Sequence, residues 1–599
     1  MTTTANRRDF LVKAAAAVAA GSSLAACGGG GHDAGPPAST QFRYGVASGD
    51  PLPDRVILWT HARVAGSNAA IPLTWQVATD SGFAHIVSSG AVDALEDNGF
   101  TAKIDATGLT AGAAYYYRFQ DAAGVLSPVG VTRTLPAASV TSLKLAVFSC
   151  PLYSEGYFNV YADAAQSDAQ YALHLGDYIY EYGANPTEYG NEDALTLGRI
   201  AFPLQDLVSL SDYRQRYAQY RSDANLQRLH ASMPWIAVWD DHEFADNAYV
   251  DGALNHNPAT QGDWATRKQA AARAYHEWLP IRTPDPTNRL KIYRQFDFGS
   301  LLSLHMLDTR IEGRDRQYDS FGDADGGVSR YLAGVTPVNG ALPDASRHIM
   351  SSAQQDWLIG GITASAADWQ FLGSQSVMAR LWLPASVLQK LLAAMASPPT
   401  ATLADASAAI SAYLDAKATR AAAGAGALTP AQAALLDPAL NPPLPYNLDA
   451  WDGYPAQRDA ILTAIKSLNK NLVVLSGDSH NAWFSRLTTL AGVKAGVEFA
   501  GSSVSAHGLE YVGLGGLAAS LDGSALVPQL GNAAIGAGLG LVDDLGYADT
   551  VRRGYLLMTV TAASVKGEYV FVDTVKSKTY TASLGKTITV SSAGAVSYT

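Results

Sequence analysis

The sequence predicts an all-β domain followed by a larger domain in which β-strands alternate with α-helices. Its 599 residues leave room for roughly two to four domains, and 48% of them are hydrophobic, enough to build large cores. Residues 42–136 contain β-forming segments separated by turns, whereas short apolar strands alternate with helical segments from residue 143 onward. The second pattern is typical of an α/β layered fold.

Composition excludes two classes of protein. The chain carries 42 basic and 54 acidic residues, a net charge of -12, and no basic stripe, so nucleic-acid-specific binding is not expected. It has only two cysteines, Cys27 and Cys150, and Cys27 belongs to the export signal described next. A disulfide framework is therefore excluded, and Cys150 is expected to be a buried thiol, a nucleophile or a metal ligand.

Residues 1–27 are typical of a bacterial export signal. Residues 6–13 (Asn-Arg-Arg-Asp-Phe-Leu-Val-Lys) match the twin-arginine pattern, and the apolar run at 14–20 is too short to span a bilayer. Residues 24–27 (Leu-Ala-Ala-Cys) resemble a lipobox, in which Cys27 becomes the lipidated first residue; an ordinary cleavage site beside an incidental cysteine is the alternative. We therefore expect export to the periplasm or cell surface, with Cys27 as the only membrane anchor.

The next two segments are expected to be a linker and the β domain. Residues 28–41 are rich in Gly, Pro and Ala, a composition that predicts a flexible linker. Within 42–136, the segments 55–60, 73–78 and 115–119 are rich in β-forming residues. A Gly-Leu-Thr-Ala-Gly turn at 108–112 resembles that of fibronectin type III or immunoglobulin-like sandwiches, whose size of roughly 100 residues also fits.

Residues 143–599 are expected to form the α/β domain. Its apolar strands are predicted at 143–148, 171–175, 234–239 and 472–476. Strands at 555–561 and 568–572 are expected to complete the domain, and the Ala-rich segment 385–443 is predicted to be an inserted pair of helices at the periphery. Each of the four apolar strands ends in polar residues, at the edge where open α/β sheets place their sites.

The polar residues at these strand ends are candidate metal ligands. They are Cys150, Asp177, Asp241, His242, Asp478 and His480. A two-metal site needs a carboxylate that bridges the ions and further ligands on either side, and Asp177, which follows the flexible Gly176, is the candidate bridge. A single cysteine at a strand end is more often a buried small side chain than a ligand, but the blocks around Cys150 favour a ligand.

Five sequence blocks, in order, resemble the alkaline phosphatase D (PhoD-type) family of the calcineurin-like metallophosphoesterases. They are 148–150 (Phe-Ser-Cys), 176–181 (Gly-Asp-Tyr-Ile-Tyr-Glu), 239–243 (Trp-Asp-Asp-His-Glu), 451–455 (Trp-Asp-Gly-Tyr-Pro) and 476–480 (Ser-Gly-Asp-Ser-His). The resemblance covers about residues 42–580. It implies an α/β metallophosphoesterase sandwich, with two mixed sheets flanked by helices, preceded by an all-β fibronectin III/immunoglobulin-like domain.

The resemblance also implies an iron–calcium centre. Matched by motif, the ligands of Fe(III) would be Cys150, Asp177, Tyr180 and His480, with Asp177 as the bridge. Asp241 and Asp478 would face Ca²⁺, which prefers such hard oxygen donors, whereas thiolate, phenolate and imidazole together suit a transition metal. Asp240, Glu181 and Asn247 are weaker candidates for calcium ligands, Tyr180 could instead simply pack, and a Zn²⁺ centre is the alternative.

The implied activity is hydrolysis of phosphate mono- and diesters with an alkaline optimum, for phosphate scavenging. A metal-bound hydroxide would attack phosphorus in line with the leaving group. His242 would stabilise or protonate the leaving oxygen. Arg310, which follows the apolar strand 301–307, either clamps a phosphate at the edge of the site or makes a surface ion pair.

Other functions remain open at this point. One is a phosphodiesterase directed at phospholipids or teichoic acids, and another is a non-catalytic adhesion lipoprotein. The intact set of candidate ligands argues against the second. We expect the protein to be a monomer whose partners are phosphate esters.

Overall fold

The computed structural model describes residues 39–318, 347–396 and 398–599. The predicted export signal and nearly all of the predicted linker lie outside the described residues. None of the described helices is both long enough and apolar enough to cross a membrane.

The strands are, in chain order, β1 (Thr40–Gln41), β2 (Val46–Leu52), β3 (Arg55–His61), β4 (Arg63–Val64), β5 (Ile71–Ala78), β6 (Ile86–Ala94), β7 (Thr101–Thr107), β8 (Ala114–Asp121), β9 (Gly130–Arg133), β10 (Leu143–Phe148), β11 (Tyr171–His174), β12 (Trp235–Ala237), β13 (Arg294–Phe298), β14 (Leu302–Met306), β15 (Trp369–Gly373), β16 (Trp382–Pro384), β17 (Pro443–Pro445), β18 (Asn471–Ser476), β19 (Ala482–Thr488), β20 (Lys494–Ala500), β21 (Leu545–Asp549), β22 (Arg553–Val560), β23 (Ser564–Val572), β24 (Ala582–Ser591) and β25 (Val596–Tyr598).

The α-helices are α1 (Asn159–Ala164), α2 (Ala194–Leu197), α3 (Leu210–Arg221), α4 (Ala224–Ser232), α5 (Pro258–Gln261), α6 (Trp264–Trp278), α7 (Ser352–Ala364), α8 (Ala385–Met395), α9 (Leu403–Ala423), α10 (Pro430–Leu435), α11 (Pro455–Ser467), α12 (Ala518–Asp522) and α13 (Val527–Leu530). Short 3-10 helices lie at Glu96–Asn98, Ala425–Ala427, Trp451–Gly453, Gly515–Leu517, Ser524–Leu526 and Gly531–Ala534.

Two large mixed sheets with flanking helices form the main body, which confirms the coarse fold prediction. The first has ten strands in the order β25-β24-β23-β22-β10-β11-β12-β2-β3-β7, and the second has seven in the order β13-β14-β15-β18-β20-β19-β21. Strands β10, β11 and β12 run parallel to one another, as do β14, β15 and β18. β11 and β12 are buried along their whole length, which is typical of parallel strands covered on both faces.

The two sheets share one buried core. It includes Leu145 and Met558 from the ten-stranded sheet and Phe371 and Val473 from the seven-stranded sheet. Since neither sheet buries its apolar face without the other, the strands that carry the predicted site residues are fixed relative to one another by this core.

The N-terminal region is joined to the main body through a shared sheet, which the sequence did not predict. β2, β3 and β7 belong to the ten-stranded sheet, where Gly49 of β2 pairs with Trp235 of β12, while β5, β6, β8 and β9 form a separate four-stranded sheet. A Cβ atom on Gly49 would lie 2.4 Å from the carbonyl oxygen of Pro280 and 2.6 Å from that of Trp235. The close approach of these backbones therefore requires glycine at this position.

The Ala-rich insertion contains three helices, α8, α9 and α10, where the sequence predicted a pair. The third forms because Thr429 begins it with a capping box, accepting from the backbone N–H of Gln432, and Pro430 occupies its first turn. Strands β16 and β17 pair at the two ends of the segment.

Candidate metal centre and active site

The loops that follow β10, β11, β12 and β18 bring the predicted ligands together. Cys150 lies two residues beyond β10, Asp177 three residues beyond β11, and Asp478 two residues beyond β18. The first two strands are neighbours in one sheet and β18 belongs to the other, so the site lies where the carboxyl ends of both sheets meet.

These loops hold several site residues in a backbone conformation that side chains rarely adopt. Cys150, Asp177, Asp478 and His480 have φ values of 60°, 55°, 60° and 60°. Left-handed conformations at non-glycine residues persist only where the surroundings impose them, and they concentrate at functional sites. The fold therefore positions these side chains at a cost in backbone strain.

Two glycines make the close packing of the loops possible. Gly176 has a φ of 116°, and a Cβ there would lie 2.3 Å from Cβ of Asp240. A Cβ on Gly477 would lie 2.6 Å from Cβ of Ser149. Both positions require glycine, because any side chain would push the ligand-bearing loops apart.

The four residues predicted to hold iron lie together. Cys150, Asp177 and His480 offer ligand atoms that all lie within 4.8 Å of one another. The Tyr180 hydroxyl oxygen lies 3.2 Å from Oδ2 of Asp177 and 3.2 Å from Nε2 of His480. The cluster therefore combines a thiol, a phenol, a carboxyl and an imidazole, a set of donors that suits a transition metal.

His480 is oriented for ligation by the residues behind it. Its Nδ1 lies 2.8 Å from the backbone carbonyl oxygen of His507 and 3.1 Å from the Tyr189 hydroxyl. Since a carbonyl only accepts, we assign the proton to Nδ1, which leaves the Nε2 lone pair facing the cluster. Burial lowers the pKa of His480 to about 3, so the imidazole is neutral, as a ligand must be.

The carboxylates form a second cluster that is continuous with the first. The ligand atoms of Asp177, Asp241 and His242 all lie within 4.8 Å of one another. The same holds for Asp240, Asp241 and Asp478. Asp177 therefore joins the thiol-containing group to Asp241 and His242, and Asp241 in turn joins these residues to Asp240 and Asp478. This is the position that a bridging ligand requires.

Burial makes the anionic forms of this site costly without a cation. Burial, with the nearby carboxylates as a further cause, raises the pKa values of Cys150, Asp177 and Tyr180 well above their ordinary values. Oδ1 of Asp177, Oδ2 of Asp240 and Oδ1 of Asp241 are buried and have no hydrogen-bond partner among the described residues. Buried oxygens without partners are expected where a metal ion is meant to bind.

Arg310 is neither at the edge of the site nor in a surface ion pair, so both predictions for it were wrong. Its side chain is fully buried, and its guanidinium lies 2.8 Å from Asp449, 2.7 Å from Asp478 and 2.5 Å from Asp240. Several buried carboxylates repel one another and need a fixed counter-charge, and Arg310 supplies it. Although burial would raise the pKa of Asp241, Arg310 and then His242 lower it to about 2.

His242 is held at the pocket by Glu181. Nδ1 of His242 lies 2.8 Å from Oε2 of Glu181, whose other oxygen accepts from the backbone N–H of Asp246 and the side chain of Asn255. Burial opposes a charge on His242, but Asp241, Asp177 and Glu181 raise its pKa well above the ordinary value. Glu181, a weaker candidate for calcium, is therefore engaged in positioning His242.

The other two weaker candidates for calcium have different surroundings. Asp240 faces Arg310, although its second oxygen is one of the buried atoms without a partner. Asn247 lines the pocket, and its backbone N–H donates to Oδ2 of Asp241 at 2.6 Å. Asp240 therefore still offers an oxygen to a cation, whereas the backbone of Asn247 orients the Asp241 carboxylate.

Several residues of the site were missed by sequence reasoning. The Glu243 carboxylate accepts from the backbone N–H groups of Asp177, Tyr178 and Asp240, at 3.0, 2.6 and 2.7 Å, and so fixes two ligand loops to each other. It belongs to the block 239–243, which could have drawn attention to it. Asp449 precedes the block 451–455 by two residues, whereas Tyr189 and His507 lie outside every block.

The site opens into a pocket of about 780 Å³. Asp177, Asp241, His242, Asp478 and His480 line it, together with Arg316 and Tyr446. A phosphate ester that enters this pocket would meet both clusters and His242 at once.

Comparison with known proteins identifies relatives over most of the chain. A family model described as PhoD-like phosphatase matches residues 145–569, and one described as PhoD-like phosphatase, N-terminal domain, matches residues 30–136. The chain is 33% identical over 487 residues to alkaline phosphatase D of Bacillus subtilis (strain 168), which covers 80% of this chain and 69% of the relative. A solved structure described as "Structure of PhoD" superposes with a TM-score of 0.69 at 29% identity, over 93% of this chain and 92% of that chain.

Proposed function

The chain belongs to the PhoD-like phosphatase family and is therefore a phosphoric ester hydrolase; from this premise we propose that it is an exported, metal-dependent enzyme that hydrolyses phosphate mono- and diesters. The observation that carries the metal dependence is the set of three overlapping groups of candidate ligands that Asp177 and Asp241 join. Its expected use is phosphate scavenging at alkaline pH.

The described residues fit a dinuclear metal centre. Cys150, Tyr180 and His480 would hold Fe(III), Asp241 and Asp478 would hold Ca²⁺, and Asp177 would bridge them. The soft donors on one side and the carboxylates on the other support two different ions, with Zn²⁺ as the alternative. The buried carboxylate oxygens without partners support the same assignment. When bound, the ions would supply positive charge to the ester oxygens and lower the pKa of a nearby water.

The protein's own residues contribute binding, orientation and a proton. His242 lines the pocket, and because Glu181 holds its Nδ1, Nε2 is the nitrogen left to donate to the leaving oxygen. The carboxylates of Asp241, Asp177 and Glu181 raise the pKa of His242 and so favour the protonated form that this role needs. Arg310 keeps Asp240 and Asp478 in place without contacting the pocket, so its role is positioning.

The cellular location completes the proposal. The twin-arginine pattern and lipobox in residues 1–27 support export and a lipid anchor on Cys27. The twin-arginine route carries folded proteins, which would allow the metal centre to assemble before export. In this setting the enzyme would act as a monomer on esters outside the cytoplasm.

The proposal is tested by pairing elemental analysis with assays on a monoester and a diester. We expect 4-nitrophenyl phosphate and bis(4-nitrophenyl) phosphate both to be hydrolysed by exported protein that contains iron and calcium. Asp177→Asn, which keeps the shape of the side chain but removes the bridging charge, should lower kcat at least a hundredfold. Near-normal turnover by this variant with metal bound would contradict the dinuclear assignment, and a metal-loaded wild-type protein that cleaved neither ester would contradict the proposed substrates.

A further inference from the structure

Three segments of the chain meet behind the thiol-containing cluster. The loop after β10 carries Cys150 and, five residues later, Glu155, and the segment just before α2 carries Glu192. The loop after β20 carries His507, whose carbonyl oxygen accepts from Nδ1 of His480. Glu155, Glu192 and His507 are not among the described residues that line the catalytic pocket. Their side chains are therefore not explained by the proposed reaction.

These three side chains form a separate group of candidate metal ligands. Each offers one ligand atom, and the three atoms all lie within 4.8 Å of one another. Nδ1 of His507 lies 3.3 Å from Oε2 of Glu155. A tetrahedral zinc ion with nitrogen and oxygen ligands at about 2.0–2.1 Å holds any two of them about 3.3 Å apart. The spacing of these two atoms is therefore that of two ligands of one ion.

Two atoms of the group are buried and have no hydrogen-bond partner among the described residues. They are Oε2 of Glu155 and Nε2 of His507, and these residues are only 6% and 8% exposed. Oε2 of Glu155 lies close to Nδ1 of His507, but the two do not form a hydrogen bond. A buried carboxylate oxygen in this position needs another partner, and a cation between the two atoms would satisfy both of them.

Aromatic contacts fix the orientation of the group. The His507 ring stacks on Tyr511, with the ring centroids 3.8 Å apart and the planes 10° from parallel, and it meets Tyr189 edge-on at 4.4 Å. The Tyr511 hydroxyl donates to Oε1 of Glu192 at 2.7 Å. Tyr511 therefore holds both the imidazole and the Glu192 carboxylate, as the residues behind metal ligands commonly do.

The charges around the group favour a divalent cation. Lys576 contacts Oε1 of Glu155 and, at 2.9 Å, Oδ2 of Asp193, and Arg553 contacts Glu510. These two cations face four carboxylates, those of Glu155, Glu192, Asp193 and Glu510. With His507 neutral, as a ligand must be, two negative charges remain, and one divalent ion would neutralise them. Because Lys576 contacts Oε1 of Glu155, Oε2 is the oxygen left for the ion.

We propose that Glu155, Glu192 and His507 form a further metal site, separate from the catalytic centre, that binds a divalent transition-metal ion. Zinc fits best, because it accepts one imidazole, two carboxylates and a water, whereas calcium prefers about six to eight oxygens. The ion fastens the loop after β10 to the loop after β20 and so holds the carbonyl that orients His480. This inference goes beyond the proposed function, since the ion takes no part in hydrolysis.

The test counts zinc in the exported holoenzyme. Wild type and Glu192→Gln are dialysed against the same buffered Zn²⁺, and their zinc, iron and calcium are measured by elemental analysis. Glu192 is exposed, so the substitution does not put folding at risk. We expect wild type to hold one more equivalent of zinc than the variant, with equal iron and calcium, and the variant to bind that zinc at least tenfold more weakly. Equal zinc contents, or zinc gained only in exchange for iron or calcium, would overturn the inference.

Two more variants separate ligation from a general effect of charge. Glu155→Gln removes the buried ligand and should also lose the additional zinc. Glu188→Gln removes the same charge four residues before Glu192, from a carboxylate that accepts from the Asn185 side chain at 3.2 Å and belongs to none of the groups of candidate ligands among the described residues. It should hold as much zinc as wild type. An equal loss of zinc in Glu188→Gln and Glu192→Gln would mean that negative charge in general attracts the ion, and would contradict the site.

Diffraction locates the ion directly. Anomalous scattering from wild-type crystals at the zinc absorption edge should give a peak between Glu155, Glu192 and Nδ1 of His507. A peak at the catalytic ligands alone would show that the inference is wrong. So would the absence of any peak, because the contact between Glu155 and His507 would then be an ion pair with a protonated imidazole.

These measurements do not depend on hydrolysis, so they separate this inference from the proposed function. Zinc should also raise the melting temperature of wild type and Glu188→Gln but not of Glu192→Gln, because an ion that binds only the folded state stabilises it. The expected difference in zinc without hydrolysis of either ester would contradict the proposed function and support the further site. Normal hydrolysis with no difference in zinc would contradict the further site alone.

Discussion

At the scale of single residues, the site contains side chains whose anionic, ligating forms are unfavourable in their buried surroundings unless a cation is present. The thiol of Cys150 and the phenol of Tyr180 are fully buried, and burial raises the pKa of each. Both would nevertheless have to be anions to ligate iron. A ferric ion beside them would reverse the effect of burial, because its charge would stabilise the deprotonated forms.

This requirement leads to a spectroscopic prediction. If Cys150 and Tyr180 are anionic ligands of Fe(III), charge transfer from sulfur and phenolate oxygen should colour the purified protein, whereas zinc, a filled-shell ion, gives no visible band. Cys150→Ser should remove part of the absorption and lower kcat at least tenfold, and Tyr180→Phe should remove a different part.

Tyr178→Phe is the matched control for the tyrosine variant. Tyr178 is two residues away, and its hydroxyl pairs with Nε2 of His230 at 2.9 Å and not with the cluster. The same loss of one hydroxyl should therefore leave the spectrum unchanged. A colourless, fully active wild-type enzyme that contained zinc alone would contradict the ferric centre.

At the scale of the element, the loops after the strands determine the site more than the strands do. The positions of β10, β11, β14 and β18 could be predicted from apolar runs, because buried parallel strands are almost continuously apolar. The strained loops between the strands and the ligands have no comparable periodic signal. Only Gly176, a flexible residue in the block 176–181, indicated one of these loops.

Gly176→Ala tests the close packing of these loops. The added methyl would meet Asp240 at 2.3 Å, so the loop after β11 must move and carry Asp177 with it. We expect a loss of at least a hundredfold in kcat/KM and a lower melting temperature. Gly198→Ala is the control, since Gly198 has a φ of 66° but nothing within 4 Å of its added Cβ, and it should cost only about 1 kcal/mol in stability. Equal effects of the two variants would mean that backbone conformation alone, and not packing, explains the requirement for glycine.

Glu498 of β20 gives a prediction about pH. Its buried carboxyl accepts from the backbone N–H groups of Met378 and Ala379 and from the Ser476 hydroxyl, and burial raises its pKa to about 7. Between pH 4.5 and 7 the unfolded chain loses this proton while the folded chain keeps it, so the free energy of unfolding should fall as the pH rises, by up to about 3 kcal/mol. Below and above that window this group should contribute no slope.

The measurement is the difference in denaturation midpoint between wild type and Glu498→Gln across this pH range. The variant has no proton to lose, so the wild type should lose stability relative to it from pH 4.5 to 7. A constant difference between the two proteins would show that Glu498 titrates normally in the fold.

At the scale of the whole molecule, the sequence predicted the parts of the site better than their assembly. Six of the predicted residues lie in overlapping groups because motif spacing places them at the ends of strands that two sheets bring together. The role of Arg310 was not predictable, because its partners Asp240, Asp449 and Asp478 are distant in sequence and only the folded chain brings them to it. The continuation of the N-terminal strands into the ten-stranded sheet depends in the same way on a single long-range pair, Gly49 with Trp235.

Removal of calcium is the prediction that involves the molecule as a whole. The carboxylate cluster needs positive charge in order to fold, and Arg310 supplies a permanent part of it. A calcium chelator should therefore abolish activity reversibly while the protein stays folded with iron bound. The melting temperature should also fall, because an ion that binds only the folded state stabilises it. At a free ion concentration a hundredfold above Kd, this stabilisation is about 2.7 kcal/mol. In Arg310→Gln, chelation would leave the carboxylate cluster with neither the arginine charge nor the calcium charge. The fall in melting temperature should therefore be larger than in wild type. Activity that persists after thorough chelation, or equal falls in the two proteins, would mean that Asp241 and Asp478 do not hold an essential cation beside Arg310.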